Sequence, residues 1–212
     1  MILQQERQAV ADAGRRMITD GLVLGTAGNV SIRVGDLVAI SPSTVAYSDV
    51  TAADVCVVDM DGVVVDVAEG RRPSSEVPMH LSIYRESDAA SVVHHHGLKS
   101  AAVSTLVDVV PTIHYYVAQL GGSLRVAPYA RYGSDALAAG VMAALQDRVA
   151  ALMQNHGAVA HGPTLELAYG RAQLVEWLCA MYIEAASIGS PRELTDADMQ
   201  DVVAARTART YA

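Results

Sequence analysis

Hydrophobic and polar positions change period several times along the chain, and each change marks an element. Apolar residues Ile2, Val10, Ala13, Met17 and Ile18 recur at helical spacing over residues 2–20, and Gly21 is placed to end that helix. The next stretch, GTAGNVS, is too rich in small residues for a helix interior. VSIRV and LVAI flank Gly35-Asp36, and VCVVD and VVVDV flank Met60-Asp61-Gly62; both read as hairpins, with Ser41-Pro42-Ser43 as the loop between them. Pro73-Ser74-Ser75-Glu76 reads as a helix start with a serine cap, and VPMHLSIYRES continues it. ASVVHHH predicts a short strand and LKSAAVSTLV a short helix. Ser134 caps a helix over SDALAAGVMAALQD, and VAALMQN and AVAHG predict strands around His156-Gly157. Pro163-Thr164 opens a long helix to about Ile188, and Thr195 caps a last one, TDADMQDVVAARTAR. Strands therefore fall mainly in the middle, with helices between and at both ends. That pattern predicts a layered α/β or α+β sandwich without regular βαβ alternation.

The length of 212 residues fits one domain over 1–212, with no internal repeat and no linker-like segment. Hydrophobic residues make up 51%, enough for a sizeable core. No window is long and apolar enough for a membrane span, and MILQQERQ lacks the basic-then-apolar pattern of a secretory signal. The two cysteines, Cys56 and Cys179, lie in apolar runs and read as buried thiols, so the expected location is cytoplasmic. A net charge of −8, with no basic cluster longer than Arg71-Arg72, argues against nucleic acid as a partner. A phosphate ester would have to be held by local N–H groups and hydroxyls at a helix start.

The candidate chemistry begins with VVHHHG. Residues i and i+2 of a strand project on one face, so His94 and His96 point together and His95 points away. Two imidazoles on one face can share a divalent cation. His156, where a strand meets a glycine turn, would complete a three-nitrogen set. Three protein ligands leave the open position of a catalytic metal site. Spacing alone leaves the bland reading open, since a histidine run also occurs on loops and a lone NHG is a weak motif. His80 reads as lying on a helix surface or just behind the ligands, His114 as close to the site, and His161 as surface. Glu76 either complements a helix dipole or stands beside the metal as a carboxylate that moves protons.

Seven segments stand in order: GTAGNVS (25–31), ISPS (40–43), PSSE (73–76), VVHHHG (92–97), PTIHYYVAQLGG (111–122), APYARYGS (127–134) and QNHG (154–157). Together they resemble the class II aldolase/adducin family over nearly the whole chain. The resemblance implies a three-layer αβα sandwich with a central, mainly antiparallel sheet. It implies one Zn2+ per subunit on His94, His96 and His156, with Glu76 as the catalytic glutamate. Gly28, Asn29, Ser43, Thr44, Ser74 and Ser75 fall on the family's phosphate-binding motifs. Thr44 departs from the pattern, which usually has glycine there. Tyr115 matches a catalytic tyrosine delivered by a neighbouring subunit of a homotetramer with interfacial active sites, and Tyr211 matches a tyrosine of the C-terminal tail.

The implied reaction is reversible cleavage of a phosphorylated ketose, a small-molecule substrate, to dihydroxyacetone phosphate and an aldehyde. Zinc would stabilise the enediolate, so no Schiff-base lysine is needed. Lys99, the only lysine, has no evident role. Other family chemistries are a ribulose-phosphate 4-epimerase, sugar-acid decarboxylases and dehydratases, and a non-catalytic adducin-like scaffold. Glu76 after the paired serines, IHYY at 113–116 and the retained histidines favour the aldolase.

Overall fold

The computed structural model describes residues 1–210. Helix α1 (Gln4–Thr19) buries Val10, Ala13 and Met17. It closes as the sequence predicts: the Leu22 N–H reaches the Met17 carbonyl at 2.8 Å and the Gly21 N–H reaches that of Ile18 at 3.1 Å. This double closure needs a left-handed residue, and Gly21 supplies it at φ +69°.

Strands β1 (Asn29–Val34), β2 (Leu37–Ile40), β3 (Cys56–Asp59) and β4 (Val64–Asp66) form a meander built from the two expected hairpins. Helix α2 (Val77–Glu86) leads to strand β5 (Ser91–His95) and helix α3 (Leu98–Val103). A 3-10 helix over Tyr115–Leu120 and strand β6 (Val126–Ala127) precede helix α4 (Asp135–Leu145). Strands β7 (Ala150–Met153) and β8 (Gly157–Gly162) form a third hairpin, followed by helices α5 (Leu165–Ile188) and α6 (Asp196–Thr210). The strands make one sheet in the order β4-β3-β2-β1-β5-β8-β7-β6. Every neighbouring pair is antiparallel except β6–β7.

Adjacent residues of β5 show the layering. Val93 joins a core with Met17 of α1, Val103 of α3 and Val175 of α5. Val92 points the other way, into a second core with Ile83 of α2 and Val141 of α4. The sheet is therefore covered on both faces, as in a three-layer αβα sandwich. All five residues of β5 are buried, so the histidine strand runs through the middle of the molecule. The expected caps are in place: Ser134, Thr164 and Thr195 accept from the N–H groups of Leu137, Leu167 and Asp198, each at 3.2 Å. Cys56 and Cys179 are buried, and burial pushes their thiols up to about 11 and about 12. Among the described residues no helix is long and apolar enough to cross a membrane.

Three local expectations need correction. The helix expected from Pro73 begins at Val77. Residues 73–76 instead form a turn laid against the 41–43 loop, through a Pro42–Pro73 bridge and a Ser74 N–H to Ser41 carbonyl bond of 3.1 Å. Ser74 Oγ accepts the Glu76 N–H at 3.2 Å, so its cap serves the turn. The strand ends at His95, because the His96 N–H leaves the ladder for the Leu22 carbonyl at 2.9 Å. β6 was not anticipated, since two residues before Pro128 carry no period-2 signal.

Candidate active site

His94 and His96, at and just past the end of β5, bring their Nε2 atoms to 2.9 Å. His156 comes from the β7–β8 turn, and its ring centroid lies 4.9 Å from that of His94 and 4.7 Å from that of His96. Glu76, at the N-cap of α2, sets Oε2 at 3.0 Å from His94 Nε2 and Oε1 at 3.6 Å from His156 Nε2. One atom from each of the four residues can be chosen so that all lie within 4.8 Å of one another, a group that could hold a metal ion. His95 turns away; its Nδ1 accepts the Gly97 N–H at 3.2 Å.

The chemistry of these donors fits a divalent cation. The His94 Nδ1–H donates to the Ala158 carbonyl at 2.9 Å, which turns the Nε2 lone pair toward the cluster. Burial pushes His96 down to about 3 and His156 to about 4, with the neighbouring imidazoles acting in the same direction, so both are neutral at pH 7. Burial would also lower His94, but the Glu76 carboxylate overrides it and holds His94 above its ordinary value. Burial would raise the Glu76 carboxyl, yet His94, His156 and the Asn29 amide hold it well below the usual carboxylate range. The cluster thus presents two neutral imidazoles, a third held toward its charged form by the carboxylate, and that carboxylate, at a point that favours positive charge. Glu76 Oε1 is buried without a hydrogen-bond partner, as expected of an oxygen reserved for a metal, proton or substrate.

Glu76, His96 and His156 line a cavity of about 770 Å³. Gly28, Asn29, Ser43, Thr44, Ser74 and Ser75, the residues expected at a phosphate, line the same cavity. Gly28 sits at φ +74°, and a Cβ there would lie 2.7 Å from the His94 carbonyl oxygen; only glycine lets this loop reach the histidine strand. Thr44 is also left-handed, at φ +62°, the conformation that suits the glycine it replaces. Asn29 lines the cavity, but its amide is engaged on both sides: Nδ2 donates to Glu76 Oε2 at 2.9 Å and Oδ1 faces His80 Nε2.

The cavity also takes in Arg72, Tyr129 and Asn155, which sequence reasoning passed over, and Tyr132. Arg72 was visible as half of the basic pair Arg71-Arg72 and as the residue before PSSE. Tyr129 and Asn155 lie inside APYARYGS and QNHG, segments already singled out without a role for these two residues.

Tyr115 opens the 3-10 helix, stacks on His114 with centroids 4.6 Å apart, and is absent from the cavity lining. His114 also meets Tyr116 and Trp177, in an aromatic group whose three larger rings are all partly exposed. Tyr211 lies outside the described residues. Two histidine readings change. His80 is fully buried behind Asn29, which removes the helix-surface alternative and leaves the position behind the ligands. His161 is buried in β8 and not on the surface, because β8 lies between two neighbouring strands and under α5.

The αβα sandwich thus carries a histidine–glutamate cluster that could hold a metal ion beside a hydroxyl-lined cavity. A model of the family described as Class II Aldolase and Adducin N-terminal domain matches residues 8–183, and the chain belongs to that family. The 5-deoxy-D-ribulose 1-phosphate aldolase of Bacillus thuringiensis serovar kurstaki is 37% identical over 206 residues, covering 95% of both chains. The L-fuculose phosphate aldolase of Escherichia coli strain K12 is 39% identical over 184 residues, covering 86% of this chain and 84% of its own. A solved L-fuculose 1-phosphate aldolase superposes with a TM-score of 0.88 at 33% identity, covering 92% of this chain and 93% of its own.

Proposed function

We propose that this chain is a zinc-dependent aldolase that cleaves a ketose 1-phosphate reversibly to dihydroxyacetone phosphate and a short aldehyde. The observation that carries this reading is the cluster of Glu76, His94, His96 and His156, three of which (Glu76, His96 and His156) line the cavity that Ser43, Thr44, Ser74 and Ser75 also line. When bound to the three imidazoles, zinc supplies Lewis-acid polarisation of the sugar carbonyl.

The chain's own residues do the rest. The serine hydroxyls, with N–H groups of the turns at 28–29 and 73–76, take the phosphate, and Arg72 adds a cation to that wall. The phosphate does not react, so its binding orients the reacting carbons. Glu76 moves the proton at C3, and its unpartnered Oε1 is the oxygen that holds it. Tyr115 of a neighbouring copy gives a proton to the aldehyde oxygen in synthesis and takes it back in cleavage. Supporting that arrangement, Tyr115 lies in a partly exposed aromatic group off the cavity of its own chain, which suits homotetramer interfaces.

The relatives named for a deoxyribulose and for fuculose phosphate imply aldehydes of two and three carbons, the remainder after a three-carbon phosphate is removed. The test is an aldol screen of the zinc-loaded protein with dihydroxyacetone phosphate and aldehydes of two to four carbons, with stereochemical analysis of each product. Carbon–carbon bond formation that disappears on chelation and returns with zinc is the expected result. No adduct with any aldehyde at full metal loading would overturn the proposal.

A further inference from the structure

Behind Glu76 runs a buried chain of side chains that the proposed reaction does not itself use. The Asn29 Nδ2–H donates to Glu76 Oε2 at 2.9 Å, and Asn29 Oδ1 meets His80 Nε2. On the far side of the imidazole, His80 Nδ1 lies 2.6 Å from Ser31 Oγ, and Ser31 Oγ lies 2.6 Å from the Tyr84 hydroxyl. All five residues are buried, and they come from β1, α2 and the N-cap of α2.

The donor directions along this chain determine one another. The Glu76 carboxylate can only accept, so the Asn29 N–H points to Oε2 and Asn29 Oδ1 is left to accept the His80 Nε2–H. The Nδ1 of the neutral ring is then an acceptor for the Ser31 O–H, and Ser31 Oγ accepts the Tyr84 O–H. Were the Asn29 amide reversed, its oxygen would meet the Glu76 carboxylate and its NH2 would meet the His80 N–H, two like-with-like contacts in a buried site. The amide therefore has one orientation, and Glu76 has one oxygen tied and one bare.

We infer that His80 is the positioning residue for the Glu76 carboxylate, acting through Asn29. As a neutral Nε2–H imidazole it keeps the Asn29 N–H on Oε2 and so leaves Oε1 without a hydrogen bond, 3.6 Å from His156 Nε2. The inference rests on the reading that Glu76 carries the C3 proton, and it adds a residue with no contact to metal or substrate. Loss of such a supporting hydrogen bond shifts a proton-transfer group by a fraction of an ångström, which costs turnover more than binding.

Two measurements test it. In metal-free protein carrying 15N-labelled histidine, His80 should show the Nε2–H tautomer; an Nδ1–H tautomer overturns the assignment and needs no activity to read. In zinc-loaded protein, His80→Leu should slow C3 proton exchange on dihydroxyacetone phosphate by about 10–100-fold, while KM and bound zinc stay within about twofold. His80→Gln keeps a side-chain N–H for Asn29 and should recover exchange to within about fivefold of wild type. Wild-type exchange in folded His80→Leu, or equal losses in the two variants, would overturn the inference. Should His80→Leu fail to fold, the tautomer and the His80→Gln rate still decide the matter. A wild-type protein that exchanges no proton would remove the aldolase reading, and the tautomer alone would then settle whether His80 holds Asn29.

Discussion

His94 Nε2 and Glu76 Oε2 stand 3.0 Å apart, one side chain from a central strand and the other from the cap of a helix on the sheet's outer face. The pair is almost completely buried, and two further imidazoles close around it. Two buried and two half-buried groups with this density of lone pairs are stable together best around positive charge. His94→Ala, His96→Ala and His156→Ala should therefore each lose bound metal and cleavage activity together. Removing an outer partner of a metal ligand costs about 10–100-fold in affinity, and loss of a ligand itself should reach at least the upper end. Elemental analysis of the three purified variants is the check. Full metal occupancy in all of them would refute the ligand assignment.

Glu76→Gln separates metal holding from proton transfer. The amide keeps an oxygen near the imidazoles but cannot take the C3 proton. Bound zinc should stay near one per chain, while proton exchange on dihydroxyacetone phosphate falls by about 10²–10⁴-fold, the usual worth of a positioned base. Exchange at the wild-type rate would remove Glu76 from that role.

Tyr115→Phe should divide the reaction at a different point. Its hydroxyl is assigned to the aldehyde oxygen, so proton exchange without an aldehyde should persist. Carbon–carbon bond formation should slow by about 10²-fold or more. Mixing Tyr115→Phe subunits with Glu76→Gln subunits should then restore sites that hold one intact copy of each residue. Equal loss of both partial reactions in Tyr115→Phe alone would count against the assignment.

These variants test residues that the sequence already singled out, and the reason they stood out is local. The i, i+2 rule places His94 and His96 on one side of a strand from their spacing alone. Gly21, Ser134, Thr164 and Thr195 act through atoms within a few residues of themselves, so their caps could be read in advance. What stayed hidden depends on tertiary contact. The 73–76 turn looked helical because its competing partner, the 41–43 loop, lies over thirty residues away in the chain. His80 carries helical spacing whether it faces water or Asn29, and only the fold decides which. His161 was unreadable for the same reason, since its burial comes from the strands on either side of β8.

The burial of His80 has a consequence for acid stability. Burial, with His94 adding to it and Glu76 opposing, pushes His80 down to about 3 from an ordinary value of 6.5. Below about pH 6.5 the unfolded chain takes up a proton that the folded chain refuses, so unfolding is favoured as pH falls. The contribution is fully present above pH 6.5 and is lost toward pH 3, at about 1.4 kcal/mol per pH unit. In metal-free protein, the stability of wild type minus that of His80→Gln should fall with this slope between pH 6 and pH 4. Denaturant midpoints measured across that range provide the check. Parallel curves for the two proteins would mean that His80 is charged or solvated in the native state.

Thr44 offers a change that should strengthen the protein. A left-handed backbone costs a side chain with a Cβ about 1–2 kcal/mol, and a β-branched residue sits at the unfavourable end. The φ of +62° places Thr44 in that region, with its Oγ1 bonded to the Ser43 carbonyl at 2.7 Å as partial compensation. Glycine removes the strain but carries more entropy in the unfolded chain, about 0.5–1 kcal/mol. Thr44→Gly should therefore gain up to about 1 kcal/mol, which for a chain of this size raises Tm by about 2–4 °C. The same change strips a side chain from the cavity wall and opens the backbone N–H of residue 44 to a phosphate oxygen. KM for dihydroxyacetone phosphate should then fall while kcat changes little, because the phosphate is remote from the reacting carbons. Calorimetry and steady-state kinetics on the one variant read both effects. A lower Tm with a raised KM would mean that the threonine hydroxyl contributes more to the loop and to the phosphate than its backbone conformation costs.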